Sequence, residues 1–148
     1  MKKSMKRICS AFLILCIMTS MSSAFAAGPI ADEPQSSAYL DSYMACVTAT
    51  GGGTVVITVD VDAIVYATEV GAKDIYLYES TDGMLFTCVK HFSSNSYPNM
   101  LGSGWSYYRD AVSYNGIHGR YYCADVYVYA ADSTGSDTKL YATSTIRA

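Results

Sequence analysis

Apolar and polar residues alternate most cleanly between Thr54 and Asp62. Val55, Ile57, Val59 and Val61 fall on one side of an extended chain, and Thr54, Thr58, Asp60 and Asp62 on the other. A period of two marks a half-buried strand, because successive side chains leave a strand on opposite faces. The period recurs from Arg120 to Ala130: Tyr122, Ala124, Val126, Val128 and Ala130 share one face, Tyr121, Cys123, Asp125, Tyr127 and Tyr129 the other. Lys73 to Ser80 sets Ile75 and Leu77 against Tyr76 and Tyr78. Weaker strand patterns run from Tyr39 to Thr50, Met84 to His91, Tyr107 to Tyr114 and Thr138 to Ile146. Turn signals separate them: Gly51-Gly52-Gly53, a tight Asp82-Gly83 hairpin turn, Asn115 to Gly119, and polar loops at Ser93 to Ser106 and Ala131 to Asp137. No segment beyond residue 26 repeats apolar residues at helical spacing. The pattern predicts an all-β fold, an antiparallel β-sandwich of about seven strands.

The N-terminal segment follows other rules. Lys2, Lys3, Lys6 and Arg7 precede an apolar run from Ile8 to about Met18, then small and polar residues and the triplet Ala24-Phe25-Ala26. A positive start, a short apolar stretch and an A-x-A site make a helical secretory signal peptide over residues 1–26. The run is well short of the roughly 20 residues that span a bilayer. Leu13-Ile14-Leu15-Cys16 is a poor lipidation site, since Leu15 is bulky and Cys16 lies within the apolar run. Residues 27–37, with Pro29, Asp32, Glu33 and Pro34, read as a disordered leader, and 38–148 as the sandwich domain. The expected location is secreted and extracellular, free of the membrane after cleavage.

Export changes the charge and thiol counts. Four of the ten basic residues lie within the first seven positions, while all thirteen acids follow residue 26, leaving a net charge of about −7. That argues against nucleic-acid partners, which need a positive footprint. Of five cysteines, Cys46, Cys88 and Cys123 remain: at most one disulfide, in any of three pairings, or three reduced thiols. No Cys/His spacing of the zinc type is present, and no cofactor is expected.

The segment Gly119 to Ala130, with its alternating Tyr122-x-Ala124-x-Val126-x-Val128-x-Ala130, leads into a loop containing Gly135 and a Thr-containing strand. It is similar to the last two strands of fibronectin type III and immunoglobulin-like domains. The resemblance implies that Tyr122 is a structural residue whose hydroxyl caps a corner. The chain from 38 to 148 also resembles a family of small, uncharacterised secreted proteins of Gram-positive bacteria. The features that carry this are Thr50-Gly51-Gly52-Gly53, Ile75-x-Leu77-x-Glu79-Ser80-x-Asp82-Gly83 and the Tyr-rich closing strands. Phe86 stands near the position where such proteins often have Trp. The resemblance implies secretion and no particular mechanism.

All fourteen tyrosines lie beyond residue 37. If Ile75, Leu77, Val126 and Val128 face the core, Tyr76, Tyr78, Tyr121, Tyr127 and Tyr129 face outward, and neighbouring strands would gather them on one face. Such a face can stack on sugars or anchor a protein partner, or its rings can pair across strands and stabilise the sheet. Trp105, the single tryptophan, is a binding anchor or a lid over the end of the core. Asp60 with Asp62, and Asp132 with Asp137, are candidate calcium ligands or simply solvated acids. Catalysis is the poorer reading. Only His91 and His118 could act as bases near neutral pH, Leu101-Gly102-Ser103-Gly104-Trp105 is no nucleophile elbow, and strict alternation puts Cys88 and His91 on opposite faces. The expected function is that of a non-catalytic module binding an extracellular protein or glycan. Its alternatives are a self-associating structural protein of unknown oligomeric state, or a small hydrolase or inhibitor of cell-wall enzymes.

Overall fold

A computed structural model describes residues 37–148; the expected signal peptide and the leader up to Ser36 lie outside the described residues. Nine strands follow in order: β1 (Leu40–Ala49), β2 (Thr54–Ala67), β3 (Glu69–Ser80), β4 (Thr87–Ser93), β5 (Leu101–Gly102), β6 (Trp105–Asn115), β7 (Tyr121–Ala131), β8 (Ser136–Ala142) and β9 (Ile146–Arg147). A 3₁₀ turn at Pro98–Met100 is the one helical element among the described residues. The strands form two antiparallel sheets. One has the order β1-β2-β6; the other has β4-β3-β7-β8, with β5 added to β3 and β9 to β7. The fold is the all-β antiparallel sandwich that the alternation predicts. The strands beyond the expected seven are the two-residue pieces β5 and β9.

The inward positions are the predicted ones where the period is clean. Val55, Ile57 and Val61 of β2, Ile75 and Leu77 of β3, and Tyr122, Val126 and Val128 of β7 are fully buried and meet in one core. Each such aliphatic side chain contributes about 1.5–3 kcal/mol by leaving water. The chain crosses between sheets at Thr68, whose N–H and hydroxyl both bond the Ala131 carbonyl, at 2.7 and 3.0 Å. Beneath this crossing Gly71 stands at φ +145°, where a Cβ would run into the Met100 carbonyl and the Tyr108 ring.

Three local expectations need correction. The β3–β4 connection is a six-residue loop over 81–86, not a tight two-residue turn, so β4 begins at Thr87. Side-chain bonding builds the wider loop. Asp82 Oδ1 accepts the N–H groups of Met84 and Leu85, at 2.9 and 3.1 Å, and the Ser80 hydroxyl. Those donors hold the Asp82 carboxyl at a pKa of about 2. Second, β6 begins at Trp105, because its backbone pairs with Ala67 where composition suggested loop. Third, the closing strand is interrupted at 143–145, where the Thr143 hydroxyl takes the Ala124 N–H at 2.8 Å. Ser37, read as leader, is tied to the domain through Asp137 and accepts the Leu40 N–H at 2.8 Å.

Candidate functional site

Tyr122, at the start of β7, lies within the core. Its hydroxyl accepts the N–H of Ile117, five residues upstream, at 2.7 Å and donates to Glu79 Oε2 at 2.5 Å. Arg120 pairs with the other oxygen of the same carboxylate. The hydroxyl passes so close to Gly116 that a Cβ there would collide with it. Burial first, then the Glu79 hydrogen bond, raise the Tyr122 pKa, which keeps the phenol a neutral donor. The residue locks the corner between β6 and β7 and contacts no open surface.

β3 and β7 are neighbours, so the five tyrosines read as outward do share one face, that of the six-stranded sheet. Tyr76 stacks flat on His91, with ring centroids 4.3 Å apart, and meets Tyr127 edge-on at 5.9 Å. His91 Nε2 is 2.7 Å from Asp74 Oδ1. The Tyr78 pKa is raised by burial and by its hydrogen-bonded neighbour Asp125. The Arg147 guanidinium lies 5.5 Å from the centre of the Tyr121 ring. Tyr129 departs from the expected exposure: only 8% accessible, it is covered by the Lys73 ammonium at 3.7 Å. These rings are engaged with one another and with cations, as cross-strand pairs do in a self-stabilising sheet.

The three cysteines among the described residues, Cys46, Cys88 and Cys123, are free. Cys88 and Cys123 flank Tyr78 from the two neighbouring strands, so about two strand spacings, roughly 9.5 Å, separate their backbones. A disulfide needs Cα atoms within about 7 Å, and Cys46 lies in the other sheet. Burial raises the Cys123 pKa. A bulge between Leu77 and Tyr78 also breaks the alternation of β4: His91 pairs with Tyr76 and Cys88 with Tyr78, so both lie on the outer face.

The outer face of the three-stranded sheet differs. Trp105 is 60% exposed and Tyr107, two residues on and on the same side of β6, 46%. Opposite them β2 bulges: Asp62 pairs with Tyr107 and Ala67 with Trp105, leaving four residues of β2 against Ser106. The bulge exposes Ile64, Val65 and Tyr66 in succession. Beside Tyr107 a groove of about 330 Å³ is lined by Ser42, Met44, Asp60 and Asp62. Tyr107 donates to Asp60 Oδ1 at 2.7 Å, Ser42 donates to Asp62 Oδ2 at 2.7 Å, and Arg109 lies 3.5 Å from Asp60 Oδ2.

The calcium candidates do not converge. Asp60 and Asp62 line that groove. Asp132 accepts from the Thr134 hydroxyl and the N–H groups of Thr134 and Gly135, and Asp137 from Ser37 and the N–H groups of Ala38 and Tyr39. These bonds lower both pKa values and account for both carboxylates as loop staples. Among the described residues no three His, Cys, Asp or Glu side chains gather as a metal would need. Neither His91 nor His118 is hydrogen-bonded to a hydroxyl or thiol there.

Sequence reasoning missed Tyr107 and its groove. Counting back by twos from the inward Val112 would have placed Tyr107 and Arg109 outward, but the Tyr107-Tyr108 pair hides the phase. No protein-family model, curated protein or solved structure matches the chain. Among the described residues no helix is long and apolar enough to cross a membrane.

Proposed function

We propose that this protein is a secreted, non-catalytic binding module that holds an extracellular glycan or protein on the outer face of its three-stranded sheet. The observation that carries the reading is Trp105, a large apolar ring exposed next to Tyr107 with no hydrogen-bond, ring or ion-pair partner among the described residues. Exposed aromatic side chains with polar neighbours are the usual energetic centres of recognition surfaces. The groove favours a glycan: Asp60 and Asp62 supply acceptors for sugar hydroxyls, Arg109 a donor, and the rings a flat apolar platform. The N-terminal segment supports export, and the strand order β1-β2-β6 facing β4-β3-β7-β8, with the Tyr122 corner, supports a fibronectin type III-like sandwich. The likeness to secreted proteins of Gram-positive bacteria agrees with a cell-surface setting.

Because Trp105 is the only tryptophan, its fluorescence reports this face alone. Titration with a panel of soluble bacterial cell-wall polysaccharides is expected to shift its emission to the blue and to saturate. A full panel that leaves the emission unchanged contradicts glycan recognition here.

A further inference from the structure

A second surface lies at the open side of the sandwich, where the free edge of β6 faces β4. The cleft between them is about 490 Å³ and is lined by Lys90, Phe92, Tyr97, Asn99 and β6 residues 111–115. Among the described residues β6 is the end strand of its sheet, paired on one side only. One hydrogen bond sets the phase of that pairing: Gly116 N–H donates to Gly53 O at 3.1 Å. In an antiparallel ladder every second residue exchanges both its bonds with the partner strand. Val112 and Tyr114 therefore pair with β2, while Ala111, Ser113 and Asn115 turn their N–H and C=O groups outward along the free edge. Farther along β6, Asn99 covers the edge by bonding the Asp110 carboxylate at 3.0 Å. The stretch 111–115 remains a short strand template with a pocket beside it.

The pocket has a chemical bias. The Lys90 ammonium lies 5.4 and 5.8 Å from the ring centres of Phe92 and Tyr97, and no carboxylate is within ion-pair distance of it among the described residues. In a chain carrying about −7 beyond residue 26, an unneutralised cation in this cleft is complementary to an acidic ligand. We propose that the cleft is a strand-addition site, which takes an extended acidic peptide segment of another extracellular protein. The peptide pairs with the outward groups of Ala111, Ser113 and Asn115, sets apolar side chains against Tyr97 and Tyr114, and brings a carboxylate to Lys90. Main-chain bonds supply affinity in this mode and the alternate side-chain pockets supply specificity. The β6 segment, Ala-Val-Ser-Tyr-Asn, offers no carboxylate to Lys90, so pairing of two β6 edges does not meet that requirement.

The test uses the ¹⁵N-labelled protein and a capped seven-residue peptide of alternating threonine and valine with a central glutamate. Control peptides carry glutamine or lysine at the centre, or N-methyl groups on alternate residues. With the glutamate peptide, hydrogen exchange at Ala111, Ser113 and Asn115 is expected to slow about tenfold or more, as for newly paired amides. The N-methylated peptide is expected to have no effect. Lys90→Gln should weaken the glutamate peptide about tenfold, the size of one charge-assisted hydrogen bond, and leave the glutamine peptide unchanged. Ser113→Pro removes an N–H that β2 does not use and should abolish binding while β2–β6 pairing survives. Unchanged exchange at 111–115 overturns the proposal, as does equal binding of the glutamate and lysine peptides. Protection that rises with protein concentration alone assigns the edge to a second copy and overturns it too.

Discussion

The two outer sheet faces use aromatic residues in opposite ways. On the six-stranded face Tyr76 lies on His91, Tyr127 on the edge of Tyr76, Tyr129 under Lys73 and Tyr121 beneath Arg147. On the three-stranded face Trp105 and Tyr66 extend into solvent with no such partner among the described residues. An outward position on a strand is therefore not the same as an available surface. A ring whose contacts are already made inside the protein gains little from a ligand. One left in water gains the burial of most of its area, about 25 cal/mol per Å² of apolar surface.

The largest effects are expected on removing what holds both faces in place. Tyr122→Ala deletes a buried ring and its corner bonds, and is expected to cost about 3–5 kcal/mol in denaturant unfolding. Tyr122→Phe, which keeps the ring and takes the hydroxyl from the Ile117 N–H and from Glu79 Oε2, should cost about 1–3 kcal/mol. Next comes the direct contrast. Trp105→Ala should lower affinity for a bound polysaccharide tenfold or more, about 1.4 kcal/mol or above, and change stability by no more than about 0.5 kcal/mol. Tyr76→Ala should do the reverse, lowering stability by about 1 kcal/mol and leaving affinity unchanged. A double-mutant cycle between Tyr76 and His91 is expected to return a coupling of about 0.5–1.5 kcal/mol, the worth of a stacked ring pair.

The smallest effect concerns the loop over 81–86, outside both faces. Its folded-state carboxyl at Asp82 has a pKa of about 2, below the ordinary 3.8. A depressed carboxyl stabilises the fold above the unfolded value and loses that contribution as pH falls through the folded one. Hydrogen exchange at Met84 and Leu85, relative to the intrinsic rate at each pH, should therefore lose protection between about pH 4 and pH 2, and Asp82→Ala should show low protection throughout.

Much of the fold was legible in the sequence because β2, β3 and β7 each pack against the core on one side only. Val55 to Val61 and Tyr122 to Ala130 alternate without a break, and their buried faces follow directly. The errors occur where a bulge or a side-chain bond overrides the period. The bulge between Leu77 and Tyr78 brings Cys88 and His91 to one face, and the longer one after Asp62 exposes Ile64 to Tyr66. Asp82 bonding opens a turn that Asp-Gly alone would close tightly. The candidate site was half legible. Trp105 could be named from its rarity, but its companion Tyr107 and the groove at Asp60 and Asp62 depend on the register between β2 and β6, which joins residues 47 positions apart. The β4–β6 cleft depends on which strand ends its sheet, and strand order is a property of the whole topology.

The most direct measurement is a polysaccharide titration followed at once by calorimetry and by Trp105 emission, in the unaltered protein and in Tyr76→Ala. The three-stranded face as the binding surface predicts one shared midpoint for heat and fluorescence, unchanged by Tyr76→Ala. Heat of binding with no change at Trp105, lost in Tyr76→Ala, would place the ligand on the tyrosine face and contradict the account.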